Sequence, residues 1–282
     1  MYINFQYDYP DTELMGYFWE AKNPVKVMCI IHGKGEYAAR YDRLASYMVE
    51  GGISVISMDL PGHGISGGSR GHIGARAQVL NIITLMIDKA QEMYPDLPII
   101  LYGHSMGGNL CLDYRMRGPK NGVPEKYIVS APWIILVNDV PKPVFRILHA
   151  ISGILPKLKI NSTINEEFLG NLENTRGYNT DPLVEKAISL KTAADAMDVA
   201  ASLRENRHPN NKRAKGKPFL LMHGDADKVC SVEGSRKLAS IYKNEENFKY
   251  IEWEGYYHEI HNGGPEVSGD EVIKTIRDFA LE

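Results

Sequence analysis

The chain has 282 residues, 44% of them hydrophobic and 24% charged, with a formal net charge of −3. That is an ordinary globular profile, long enough for one α/β domain with an inserted segment, and nothing in it points to nucleic acid or an acidic partner. Cys29, Cys111 and Cys230 stand at no metal or C-x-x-C spacing, so they read as free thiols in a reducing compartment.

The N-terminus, Met1 to Asp8, has neither a basic start nor an apolar leader core. The longest apolar runs fall short of the roughly 20 residues a spanning helix needs, which leaves stable membrane insertion unexpected and a cytoplasmic location expected. Residues 2–9 and 13–20 alternate apolar and polar around Pro10-Asp11-Thr12 and predict an antiparallel hairpin. Val25–Ile31 reads as a buried strand ending in His32-Gly-Lys-Gly-Glu36. A helix is predicted from about Arg40 to Glu50, stopped by Gly51-Gly52. Ser54–Leu60 is the next strand, ending in Pro61-Gly-His-Gly-Ile-Ser66 and a glycine-rich loop. A helix from about Ala75 to Met93 leads into the strand Pro98–Tyr102. Met106–Met116 then reads as a helix and Tyr127–Ala131 as a strand.

After Pro132 the rhythm changes. From Trp133 to about Lys215 no strand–helix alternation is visible, and prolines and asparagines suggest short, broken helices. Within it Val144, Ile147, Leu148, Ile151, Ile154 and Leu155 form an apolar helical stripe, with Phe145 adjacent. The stripe serves equally as packing or as the wall of an acyl tunnel, for which Phe145, Leu148 and Ile151 are the candidate substrate-binding residues. The basic stretch Arg204–Lys217, Lys212 included, reads as a solvated loop returning from the insertion. Alternation resumes with strand Phe219–His223, helix Val232–Tyr242, strand Phe248–Trp253 and a helix from about Asp270. Such alternation implies a mostly parallel sheet with helices on both faces. Residues 1–132 and 216–282 form its core, and 133–215 an inserted helical cap.

The chemistry gathers at strand ends. Gly103-x-Ser105-x-Gly107 has the spacing of a nucleophile elbow, where a serine on a sharp strand-to-helix turn needs small neighbours two residues away. A serine hydroxyl needs a base, itself oriented by an acid. In the α/β-hydrolase order, Ser then acid then His, two later loops qualify. Gly224-Asp-Ala-Asp227 offers two aspartates, and the loop after Trp253 offers His258 and His261. Upstream, the glycines of His32-Gly33-Lys34-Gly35 allow backbone N–H groups to approach an oxyanion, so the N–H groups of Lys34 and Met106 are the candidate hole. Gly62-x-Gly64-x-x-Gly67 matches a dinucleotide fingerprint only formally, since Pro61 opens it and more loop follows. Neither a metal site nor a cofactor is expected.

The chain resembles the monoacylglycerol lipase and lysophospholipase branch of the α/β-hydrolases, over nearly its whole length. The resemblance is carried by His32-Gly-Lys-Gly-Glu36 with Arg40-Tyr41, Asp59–Ser66, Gly103–Gly108, Leu155–Leu158, Thr180–Val184, Gly224–Lys228 and Glu254–His258. It implies Ser105 as nucleophile, Asp227 as the acid and His258 as the base. It also implies a small acyl ester as substrate. Tyr37 departs from the pattern, in which a histidine often follows the glutamate. On the same triad, a feruloyl-type esterase or a thioesterase is the alternative, and a slow-turnover small-molecule receptor is a further one.

Overall fold

The computed structural model describes residues 1–10, 12–207 and 213–282. Asp11, in the expected hairpin turn, and Lys212, in the basic stretch, lie outside the described residues. The hairpin forms as expected, with β1 (Ile3–Tyr9) antiparallel to β2 (Thr12–Trp19) and Phe5 opposite Gly16. A Cβ at Gly16 would stand 2.1 Å from the Phe5 ring, so the missing side chain is what lets that ring lie across the neighbouring strand.

β3 (Lys26–Ile31) leads through a short 3-10 turn, Ala38–Tyr41, into α1 (Asp42–Glu50). The predicted helix start near Arg40 therefore falls in a tighter turn. β4 (Ile53–Met58), α2 (Arg76–Met93), β5 (Ile99–His104), α3 (Met106–Arg117) and β6 (Lys126–Ser130) follow within two residues of expectation. Beyond β6 come α4 (Lys142–Ile154), β7 (Lys159–Asn161), α5 (Leu172–Thr175), β8 (Ala187–Ser189) and α6 (Leu190–Arg204). The chain ends with β9 (Phe219–Gly224), α7 (Val232–Tyr242), β10 (Phe248–Trp253) and α8 (Asp270–Leu281).

The eight-stranded sheet has the order β1-β2-β4-β3-β5-β6-β9-β10 and is parallel from β4 to β10. Every residue of β4, β5 and β9 is buried. That is why these strands read as continuous apolar runs rather than alternating ones. The pleat divides β3 between two cores. Val27, Cys29 and Ile31 face α2 and α3, with α6 and α7 completing that side through Leu203 and Leu238. Met28 and Ile30 face α1 and α8 through Leu44 and Ile273. From β3 the chain crosses to β4 on one side and then returns to β5 on the other. That reversal opens a crevice beyond the carboxyl ends of β3 and β5, the place where ligands bind in open parallel sheets.

The segment between β6 and β9 corrects one expectation. Its helices are not uniformly short, since α4 and α6 run 13 and 15 residues. Pro141 and Asn171 stand at helix starts, while Pro156 follows the end of α4. Pro141 precedes α4, and the Asn171 side chain caps α5 by accepting from Glu173 N–H at 2.9 Å. α6 is alanine-rich, which favours helix, and Ser189 caps it by accepting from Thr192 N–H at 3.2 Å. Asn109 of α3 donates to the carbonyls of Trp133 and Ala196, which stitches α6 to the elbow helix.

Candidate active site

Ser105 sits between β5 and α3 with φ 56° and ψ −119°, a strained conformation for a side-chain-bearing residue. The turn is tight enough to dictate its neighbours. A Cβ at Gly103 would lie 2.3 Å from the Gly107 carbonyl oxygen, and one at Gly107 would lie 2.1 Å from that of Ile31. Ser105 is 6% exposed at the floor of the crevice.

His258 stands in the loop after β10, buried, with Nε2 2.8 Å from Ser105 Oγ and Nδ1 2.7 Å from Asp227 Oδ2. Nδ1 therefore donates to the carboxylate, leaving Nε2 to accept from the serine hydroxyl. Asp227 Oδ2 also meets His223 Nε2 at 3.1 Å, while Oδ1 accepts the N–H groups of Val229 and Cys230 at 2.7 and 2.9 Å. Burial alone would raise this carboxyl, but the charge of His258 and the bonds from both histidines outweigh it and hold Asp227 well below the usual carboxylate range. Burial likewise pulls His258 down, and the facing Asp227 carboxylate more than reverses it, leaving the imidazole above its ordinary value of 6.5.

That direction has a kinetic consequence. Protonated His258 cannot accept the serine proton, so kcat/KM is expected to fall on acidification with a midpoint above 6.5, measured with a soluble short-chain ester. A midpoint below 6.5 would contradict the assignment of the base.

The two pairs of candidates left open by the spacing separate in space. Asp225 is exposed and accepts Gly255 N–H at 2.7 Å, away from the imidazole. His261 is buried and stacks on Tyr41 with ring centroids 5.4 Å apart. His32 spans its own loop, its Nδ1 against the Gly33 carbonyl and its Nε2 accepting from Leu60 N–H. Burial pushes His32 down to about 4, so it stays neutral. One contributor went unrecognised in the sequence. His223, placed by the sequence only at the end of a strand, meets Ser235 Oγ at 2.7 Å through Nδ1 and reaches both Asp227 and the Cys230 carbonyl through Nε2. Two acceptors at Nε2 make that nitrogen the donor. His223 thus fixes the Asp227 carboxylate, and its place four residues before Asp227 was the available signal.

The turn Gly33–Lys34 lies directly against the serine, since a Cβ on Gly33 would be 3.1 Å from that of Ser105. Met106 is the first residue of α3, where an amide has no carbonyl one turn back. Among the described residues neither its N–H nor that of Lys34 has an acceptor. Tyr37, where the family pattern often has histidine, donates to Asp181 at 2.6 Å and so ties this loop to the inserted segment.

A cavity of about 480 Å³ opens over Ser105, lined by Lys34, Trp133, Asn138, Phe168, Lys228 and Cys230 among others. An apolar annex of about 120 Å³ adjoins it, sharing Trp133, Leu136 and Ser162 and including Phe145 and Leu148. The third candidate, Ile151, is half-buried and lines neither space. Val144, Ile147, Ile154 and Leu155 are exposed, so the expected stripe is wider than the face α4 packs against α6. Among the described residues no group of three His, Cys, Asp or Glu could hold a metal ion. No helix there is long and apolar enough to cross a membrane.

Fold and site together define a serine ester hydrolase of the α/β-hydrolase fold. Residues 22–264 match the family described as Serine aminopeptidase, S33 (Hydrolase_4), and the chain belongs to that family. It is 31% identical to the phospholipase YtpA of Bacillus subtilis, over 93% of this chain and 97% of that one. An abhydrolase domain-containing protein of Dictyostelium discoideum is 30% identical over 94% of this chain, which spans only 27% of that longer protein. Among solved structures, the monoacylglycerol lipase of Paleococcus ferrophilus superposes with a TM-score of 0.80 at 28% identity, covering 94% of this chain and 98% of its own.

Proposed function

We propose that the chain hydrolyses carboxylic esters joining an acyl chain to a small polar alcohol, of monoacylglycerol or lysophospholipid type. Ser105 Oγ attacks the ester carbonyl while His258 Nε2 takes its proton, and Asp227 holds the imidazole in the required tautomer. The amides of Lys34 and Met106 bind the oxyanion. His258 then returns the proton to the departing alcohol, and takes one from water for the second attack, which frees the acid and restores Ser105. The observation that carries this reading is the unbroken line Asp227–His258–Ser105, at 2.7 and 2.8 Å, ending in a cavity with an apolar annex. The likeness to a phospholipase and a monoacylglycerol lipase supports the substrate class. Residues 133–215 act as its cap, and the three buried, unpaired thiols of Cys29, Cys111 and Cys230 favour a reducing, cytoplasmic setting.

The length of acyl chain the annex accepts distinguishes this reading from a feruloyl-type or short-acyl esterase, and a burst followed by steady turnover distinguishes it from a slow receptor. If the annex receives the acyl chain, each added methylene contributes roughly 0.8 kcal/mol, nearly fourfold in kcat/KM, until the space is full. The gain belongs to kcat/KM because binding common to ground and transition states leaves kcat unchanged. The test is a series of glycerol monoesters from acetate to about twelve carbons, kept below micelle formation. A flat or falling series beyond acetate would make α4 a packing element and favour a short-acyl esterase.

A further inference from the structure

The chamber over Ser105 is lined by two cations, Lys34 and Lys228, and among the described residues by no aspartate or glutamate. In a chain of net charge −3 that is a local reversal of sign. Lys34 is 7% exposed, and its Nζ donates to the Ser162 carbonyl at 2.6 Å. An ammonium has three donors, and this uncharged oxygen is the one acceptor Lys34 Nζ meets among the described residues. The acids whose charge reaches it are engaged elsewhere. Glu185 pairs with Arg70 at 3.2 Å, and Glu36 accepts Gly33 N–H and the Tyr41 hydroxyl at 2.9 and 2.7 Å. Burial draws the Lys34 ammonium down to about 8, which leaves it a cation at neutral pH. Lys228 follows the triad's Asp227 and is exposed, with Nζ 2.9 Å from the Tyr257 hydroxyl and 5.3 Å from the centre of the Phe168 ring. It too has no carboxylate partner among the described residues. Asn138, Asn161 and Thr163 add neutral polar groups to the chamber, whereas the annex is walled almost wholly by apolar side chains.

We propose that the alcohol half of the substrate carries a phosphate, bound by Lys34 and Lys228, and no ammonium group. The substrate class is then an acyl glycerol phosphate or a similar anionic ester, which deepens the acyl-ester reading above and rests on it. A nearly buried ammonium with only a carbonyl for company has lost water without gaining a counter-charge. A phosphate supplies that charge, and its several oxygens can meet two point cations at once. A neutral glycerol would be held by Asn138, Asn161 and Thr163 and would leave both lysines uncompensated. A choline or ethanolamine ammonium would meet two like charges and no carboxylate. Because the Lys34 amide binds the oxyanion, its own side chain limits how far the phosphate stands from the scissile carbonyl. A short alcohol such as glycerol satisfies that limit.

The test compares hexanoyl glycerol with hexanoyl glycerol phosphate, both below micelle formation. The acyl group and the attack on it are shared, so within each protein the ratio of the two kcat/KM values reports the phosphate. Wild type should favour the phosphate ester about tenfold or more, the worth of one charge-assisted hydrogen bond, and added salt should shrink the ratio. Lys228→Met and Lys34→Met should each lower it, and the double variant should bring it to about one. The glycerophosphocholine ester should show no such preference. A second arm needs no turnover: the ether analogues hexyl glycerol and hexyl glycerol phosphate are titrated into Ser105→Ala by calorimetry. The phosphate ether should bind about tenfold more tightly than the neutral one, and Lys228→Met in that background should narrow the gap. Lysine-dependent binding of the phosphate ether with neither ester hydrolysed by wild type would sink the hydrolase reading and leave the phosphate site standing. Turnover with a ratio of one or less, or a ratio that both lysine variants leave unchanged, overturns the site. A choline ester favoured as strongly as the phosphate ester overturns the exclusion of an ammonium.

Discussion

Ser105→Ala is expected to fold normally and to lose essentially all ester hydrolysis, by ~10⁴-fold or more. Alanine occupies the φ 56° elbow with the same backbone strain and no larger a side chain, and Gly103 and Gly107 still clear it. The substitution therefore removes only the hydroxyl and its 2.8 Å bond to His258. The measurement is the turnover of a chromogenic ester together with a melting curve. A folded variant keeping more than about a hundredth of the rate would mean the reaction does not pass through Ser105.

Asp227→Asn should cost a comparable ~10⁴-fold in kcat, for a reason visible in the bonding. Both carboxylate oxygens face donors, the histidines at Oδ2 and two backbone amides at Oδ1. An amide NH₂ must meet donors whichever way it turns. Directed at His258, it stabilises the wrong tautomer, and directed at Val229 and Cys230, it opens the turn that carries the acid. Asp225→Asn should lose no more than a few-fold, since one oxygen still accepts from Gly255 N–H. The comparison needs kcat for both variants under one set of conditions. The reverse ranking would place the acid on Asp225.

How much of this was legible in the sequence depends on what fixed each part. α7 and β10 fall at their predicted limits because their patterns are local: Ser231 precedes one, and apolar residues fill the other between turns. The elbow was legible because its glycines answer to backbone atoms 2.1 and 2.3 Å away, a requirement that leaves a mark in the letters. Asp227 and Asp225 could not be separated by spacing, since both end the same strand. What distinguishes them is the reach of Asp227 across 31 residues to His258, and the choice rested on the family resemblance. The middle segment was read poorly for a different reason. Its alanine-rich α6 gains its stability from packing Val199 and Leu203 into the core beside α3, a contact that no local period announces. Arg40 and Tyr41 were visible as part of a motif, but their purpose was not, because it lies in contacts with Glu259 and His261 more than 200 positions away.

The central claim, that Ser105 is the atom source of a covalent intermediate activated by His258, is tested most directly by trapping it. The protein is treated with a phosphonate ester that acylation-type nucleophiles attack but cannot release, and peptides are then mapped by mass. One adduct per chain is expected, on the peptide holding Ser105 Oγ, forming more slowly as pH falls through the His258 ionisation and not at all in Ser105→Ala. An adduct on another residue, or continued ester turnover by a chain that forms no adduct, would contradict it.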